Sequence, residues 1–276
     1  MRIAVGFKVV PDYEALRPAD WARLAAAEGP GGRAEAARYV RRVPGVFDEA
    51  ALELALRVRD ARAERGLETG LAAFTVGGHE ADPLLATLRA LGFACARVDP
   101  AADLDFAPTA TAALVAACAE RLGGDVLLLG ARCGPGDSGL VPFFAAEELG
   151  RPCVTEVTAV EPAAYERLRV TLAADDGPLR ATLSPPCVLA VGNAVVSLLR
   201  VPTLKERLLV RDAPVAGFTP EDLGAAPGPV QAGEPAPARL QIIDRSRAGS
   251  IVAGTTDAEK ARALYEDHLR ARLERA

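Results

Sequence analysis

Over the first 160 residues, short apolar runs alternate with longer segments of helical spacing. The runs Ile3–Val10, Leu71–Val76, Ala94–Val98, Val126–Leu129 and Val154–Val160 are apolar almost throughout, as strands covered on both faces tend to be. Between them, Asp48–Arg65, Glu80–Leu91, Thr109–Leu122 and Ser138–Leu149 repeat apolar residues at helical intervals. In the first of these, Ala51, Leu52, Ala55, Leu56 and Arg59 share one face. The alternation predicts an α/β fold built on a doubly wound parallel sheet, with helices on both sides. Asp48-Glu49 places negative charge at a helix start, where it suits the dipole. Gly123-Gly124 ends a helix as a C′ glycine does.

Two regions depart from that rhythm. Residues 11–44 form an insertion between the first strand and the first helix, where Trp21–Glu28 and Ala34–Arg42 read as short helices joined by Gly29-Pro30-Gly31-Gly32. After Val160, Leu168–Ala173 and Leu179–Leu183 flank Asp175-Asp176-Gly177-Pro178, a β-hairpin with a glycine turn. Cys187–Val191 is a further buried strand. Asp212–Ala238, rich in Pro, Gly and Ala, reads as an extended linker. Thr256-Asp257-Ala258-Glu259 is a capping box opening a helix striped by Ala261, Leu264, Tyr265, His268 and Leu269. The expected organisation is therefore an α/β domain over residues 1–211 and an arm with a tail helix over 212–276, which must fold back or grip another chain.

The bulk numbers remove several functions. A chain of 276 residues that is half hydrophobic can bury a substantial core. A net charge of -5 argues against a broad nucleic-acid footprint. The start lacks the basic, apolar and small-residue regions of a leader, and no apolar run approaches the ~20 residues that span a bilayer. A cytoplasmic protein without membrane insertion is expected. Cys95, Cys118, Cys133, Cys153 and Cys187 are dispersed, and with only His79 and His268 they form no zinc-site spacing. Reduced structural thiols are expected.

In a doubly wound sheet the ligand lies beyond the carboxyl ends of the strands, where strand order reverses. The candidate loops follow Val10, Val76 and Leu129. The third, Gly130-Ala131-Arg132-Cys133-Gly134-Pro135-Gly136-Asp137-Ser138-Gly139-Leu140, would aim backbone N–H groups at a phosphate or nucleotide. The alternative is a flexible connection with Asp137 or Ser138 capping the next helix. The loop is neither a Walker sequence nor a G-x-G-x-x-G fingerprint. Lys8, inside an apolar strand, could neutralise an anion or could extend its amine from an edge. No G-x-S-x-G elbow is present, His79 and His268 lack nucleophilic partners in sequence, and Asp175-Asp176 suits a turn. A binding or carrier role is expected before turnover by side chains.

Several segments, taken in order, resemble the beta subunits of electron transfer flavoproteins: Lys8 with Pro11-Asp12, Val46-Phe47-Asp48-Glu49-Ala50-Ala51-Leu52-Glu53, Thr75-Val76-Gly77, Gly136-Asp137-Ser138 through Arg151-Pro152, Arg200-Val201-Pro202-Thr203-Leu204-Lys205, and Arg247-Ala248-Gly249 to the end. The resemblance implies a Rossmann-like fold of the adenine nucleotide alpha hydrolase type and a heterodimer with an alpha subunit. It implies FAD shared with that subunit, and AMP or a second FAD in the beta chain. Carried over by position, the nucleotide contacts would be Lys8, Gly77, Gly136, Asp137, Ser138, Gly139 and Val141. Arg200, Val201 and Leu204 would meet redox partners. Flavin dehydrogenases would supply electrons and a quinone-reducing or other acceptor would take them.

Two departures bear on the nucleotide. Gly45-Val46 stands where the family has Asn-Pro, and Gly139-Leu140-Val141-Pro142 replaces a polar run after Asp137-Ser138. Leu140 removes an amide and Pro142 a backbone N–H, so nucleotide binding is expected to be weakened or altered. The other readings are a non-redox adenine-nucleotide module on the same fold, or a structural subunit with a decayed nucleotide site.

Overall fold

The computed structural model describes residues 1–12, 15–26, 40–100, 104, 107–134, 137–225 and 249–274. Met1–Ala236 and Pro237–Ala276 are separate compact units. In the first, the chain runs through β1 (Arg2–Gly6), β2 (Val9–Pro11), α1 (Pro18–Ala26), β3 (Arg42–Pro44), α2 (Val46–Ala63), β4 (Gly70–Val76), α3 (Asp82–Ala90), β5 (Ala94–Val98), α4 (Pro108–Arg121), β6 (Val126–Gly130) and α5 (Val141–Glu148). It continues through β7 (Cys153–Pro162), β8 (Leu168–Leu172), β9 (Leu179–Leu183), β10 (Cys187–Val191), α6 (Leu204–Leu209) and β11 (Ala216–Phe218).

A nine-stranded sheet has the order β11-β5-β4-β1-β6-β10-β7-β8-β9. The strands from β11 to β7 run parallel, and β8 and β9 add an antiparallel hairpin. Alternate residues of each inner strand serve opposite faces. Ile3, Val5, Val126, Leu128 and Leu189 pack with Leu52, Leu56, Leu85 and Leu88 of α2 and α3. Ala4, Leu127, Leu129 and Val188 pack with Leu114, Cys118 and Ala145 of α4 and α5. Both faces are covered, which is why these strands read as unbroken apolar runs. The doubly wound, Rossmann-like fold is thus observed.

Several boundaries differ from the sequence expectation. The first strand stops at Gly6, because the Lys8 N–H is taken by the Asp48 carboxylate at 3.0 Å. Lys8 therefore lies in a break, and Val9–Pro11 pairs antiparallel with Arg42–Pro44 as a separate ribbon. Pro11 and Pro44 suit such a ribbon, since neither can donate to a central ladder. Arg42 is accordingly in a strand and Val40 and Arg41 are not helical, so the expected second insertion helix is absent there; its residues 34–39 lie outside the described residues. The expected first one, Trp21–Glu28, starts earlier and is helical over Pro18–Ala26, with 27 and 28 outside the described residues. The helix expected from Ser138 begins at Val141, because Asp137 and Gly139 have left-handed backbones, φ 40° and 68°. Finally, the linker expected from Asp212 first joins the sheet, with Ala216–Phe218 parallel to β5.

In the second unit, the Thr256–Glu259 capping box is formed at the start of a helix over Asp257–Leu264. Among the described residues, no helix is long and apolar enough to cross a membrane.

Candidate functional site

The chain passes from β1 to β4 and β5 on one side, then crosses to β6 on the other. Strand order therefore reverses between β1 and β6, and a crevice must open beyond their carboxyl ends. A cavity of about 590 Å³ lies there, within the roughly 300–1,000 Å³ typical of small-molecule sites. Its floor comes from the ends of β1, β4 and β6, and its wall from α4 through Thr111 and Val115.

Asp48 closes the floor. Its side chain accepts from Lys8 N–H at 3.0 Å and from Gly130 N–H at 2.9 Å. One carboxylate thus ties the ends of β1 and β6 to the first turn of α2. The approach is close enough that a Cβ on Gly130 would sit 2.4 Å from Asp48 Oδ1, and one on Gly45 would sit 2.6 Å from Cys133 Sγ. Glycine is required at Gly130, where the Asp48 backbone N is also within 2.9 Å, while at Gly45 a side chain would displace the Cys133 and Asp48 side chains. Asp48 is only 5% exposed. Burial raises its pKa to about 6 against the opposing pull of the Lys8 and Gly130 amides and the Cys133 thiol. Burial and the Asp48 charge push the Cys133 thiol up to about 12, so it is a protonated donor rather than a nucleophile.

The remaining rim is mixed. Lys8, Arg42 and Arg132 supply positive charge, while Glu80, Asp99 and Asp137 supply negative charge. Glu80 accepts from Gly78 N–H at 3.2 Å, closing the loop after β4. At the start of α5, where free amides would meet an anion, Pro142 occupies the second helical position and has no N–H. The Leu140 N–H donates to Ser138 Oγ at 3.4 Å, and the Leu140 side chain is exposed. The cavity thus has the volume for a nucleotide-sized ligand but a thinned donor set at its anionic end.

Of the expected nucleotide residues, Lys8, Gly77, Asp137, Ser138, Gly139 and Val141 all line this cavity; Gly136 lies outside the described residues. Sequence reasoning missed Asp48 as part of the site. Its signal was an acid at the edge of a buried apolar helix start, which was read as a dipole partner alone.

The other expected site residues lie elsewhere, after β10. Leu199 N–H donates to Glu49 Oε1 at 3.0 Å, and Arg200 N–H to Glu53 Oε2 at 3.2 Å. The Arg200 guanidinium spans Glu53 and Asp60 of α2. Val201 is 80% exposed and Leu204 72%. Thr203 caps α6 in a reciprocal capping box with Glu206. His79 is exposed and bonded to Asp82 at 2.8 Å. Among the described residues no cluster of metal-ligating side chains occurs.

Fold and cavity define a doubly wound α/β protein with a ligand crevice at its switch point. The sequence model of the electron transfer flavoprotein domain matches residues 38–235. The chain is also similar to a protein of Escherichia coli (strain K12) named "Putative electron transfer flavoprotein subunit YgcR", with 32% identity over 279 residues that cover 99% of this chain and 100% of that one. The chain belongs to the electron transfer flavoprotein family.

Proposed function

We propose that the chain is the beta-type subunit of a heterodimeric electron transfer flavoprotein. It pairs with an alpha-type chain, helps to hold FAD at their interface, and passes electrons from flavin dehydrogenases to a quinone-reducing or other acceptor. The observation that carries this reading is the exposed apolar stretch after β10, with Val195, Leu198, Val201 and Leu204 all turned to solvent. Such a surface suits a partner protein better than water. When bound, FAD supplies the redox chemistry, and the protein supplies position and electrostatics. This chain's contribution is to present Val201 and Leu204 to the redox partner beside Arg200, whose guanidinium is engaged by Glu53 and Asp60, and the tail helix to the alpha-type chain.

The cavity at the switch point is the place for the second adenine nucleotide, AMP or another FAD. Lys8, Gly77, Asp137, Ser138, Gly139 and Val141 would surround it. Pro142 and the tied Leu140 amide favour weak occupancy, and the second reading they support is a structural subunit with a decayed nucleotide site. Co-expression with an alpha-type chain and FAD tests the assignment. A yellow heterodimer bleached by a flavin dehydrogenase and its substrate is expected; failure to assemble or to bleach would overturn it.

A further inference from the structure

The stretch from Val195 to Leu204 is held only in part by its own apolar side chains: Leu199 packs against the core and Pro202 is buried, while Val195, Leu198, Val201 and Leu204 face outward. A second set of contacts comes from the neighbouring helix. Glu49, Glu53 and Asp60 stand along one side of α2, spaced by whole turns. Glu49 accepts from the Leu199 amide at 3.0 Å. Glu53 accepts from the Arg200 amide at 3.2 Å, and from Arg200 Nη2 at 2.9 Å and Nε at 3.1 Å. Asp60 takes the remaining arm of the guanidinium. Glu53 is only 5% exposed, a position where an acid is tolerated only when paired. The segment is therefore attached at Leu199 and Arg200 by polar contacts beside the packing of Leu199 and Pro202, while Val195, Leu198, Val201 and Leu204 point away.

We infer that Glu49, Glu53 and Asp60 form a charged latch that positions the apolar segment for docking, with Arg200 as the positioning residue that engages it. The docking part of this inference rests on the function proposed above; the latch does not. An arginine is needed for it, since a lysine keeps the charge but cannot fork across two carboxylates.

Hydrogen exchange on the full-length chain, in complex with its alpha-type partner, tests the latch directly. Glu53→Gln should speed exchange of the Leu199 and Arg200 amides at least tenfold, with the β6 amides unchanged. Glu49→Ala, which removes one acceptor near the surface, should do so at Leu199 alone. Arg200→Lys should restore part of the protection lost in Arg200→Leu. Exchange within twofold of the parent in both acid variants would overturn the latch. The docking role has a separate readout: the apparent KM of a donor flavin dehydrogenase for the complex should rise several-fold in Glu53→Gln while kcat is kept. Val201→Asp should raise KM without altering exchange. Accelerated exchange with KM unchanged in both variants would leave the latch standing and sink the docking role.

Discussion

Asp48 at the switch point and Glu53 one turn further along α2 are both buried acids, yet their carboxyl groups shift in opposite directions. Burial dominates at Asp48, whose acceptors face backbone N–H dipoles, and its pKa rises to about 6. At Glu53 burial also acts upward, but the Arg200 guanidinium outweighs it and holds the carboxyl below the usual range. At Asp48 two amide dipoles, the Cys133 thiol and the Lys8 charge do not offset a deep desolvation; at Glu53, less deeply desolvated, a guanidinium hydrogen-bonded directly to the carboxylate does. The first acid organises a cavity floor, and the second secures a surface segment. One helix therefore serves both regions from adjacent turns.

Removing the Asp48 side chain should have the largest effect. Asp48→Ala leaves the Lys8 and Gly130 amides without their acceptor, at about 1–3 kcal/mol each, so urea unfolding should show a loss of about 2–6 kcal/mol. A loss below about 1 kcal/mol would mean that water or the loop replaces the carboxylate.

The pH dependence separates the two acids. Between about pH 4 and 6 the native state retains a proton on Asp48 that the unfolded chain has released, so its contribution to stability falls as pH rises through that window. From the model value of 3.8 to about 6, the change is on the order of 3 kcal/mol at most. Glu53 acts the other way: its contribution is present above the ordinary glutamate range and is lost as pH falls through its lowered native value. Chemical denaturation against pH should therefore show a maximum on the acid side of neutrality, and Asp48→Asn should flatten the limb between pH 4 and 6.

Pro142→Ala changes only the cavity region. It restores a donor at the second position of α5, and a hydrogen bond to a charged phosphate is worth about 1.5–3 kcal/mol. Calorimetry should show AMP binding strengthened about tenfold or more. Val201→Asp changes only the surface segment. Its stability effect should stay within about 0.5 kcal/mol because the side chain is exposed, while electron transfer from a flavin dehydrogenase slows.

Much of this was legible in the sequence, and the misses share a cause. β1, β4, β5, β6 and β10 were marked by apolar runs because burial on both faces leaves no other composition. Ala216-Gly217-Phe218 escaped notice because three residues at a sheet edge carry no period. Lys8 falls inside a longer apolar run, and local pattern cannot show that an acid 40 positions away captures its amide. The cavity residues were legible from the glycine-rich loop and the order of motifs. The Arg200 latch was not, since its partners lie 140 and 147 positions away. One trace of it was visible: Glu53, an acid inside Ala51-Leu52-Glu53-Leu54-Ala55-Leu56, must find a cation once that helix is buried.

Purification of the tagged chain from its native host, with the visible spectrum and the masses of co-purifying chains recorded, tests the central claim most directly. The account predicts a yellow complex with one further chain of similar size and releasable FAD. A colourless chain purifying alone would contradict it.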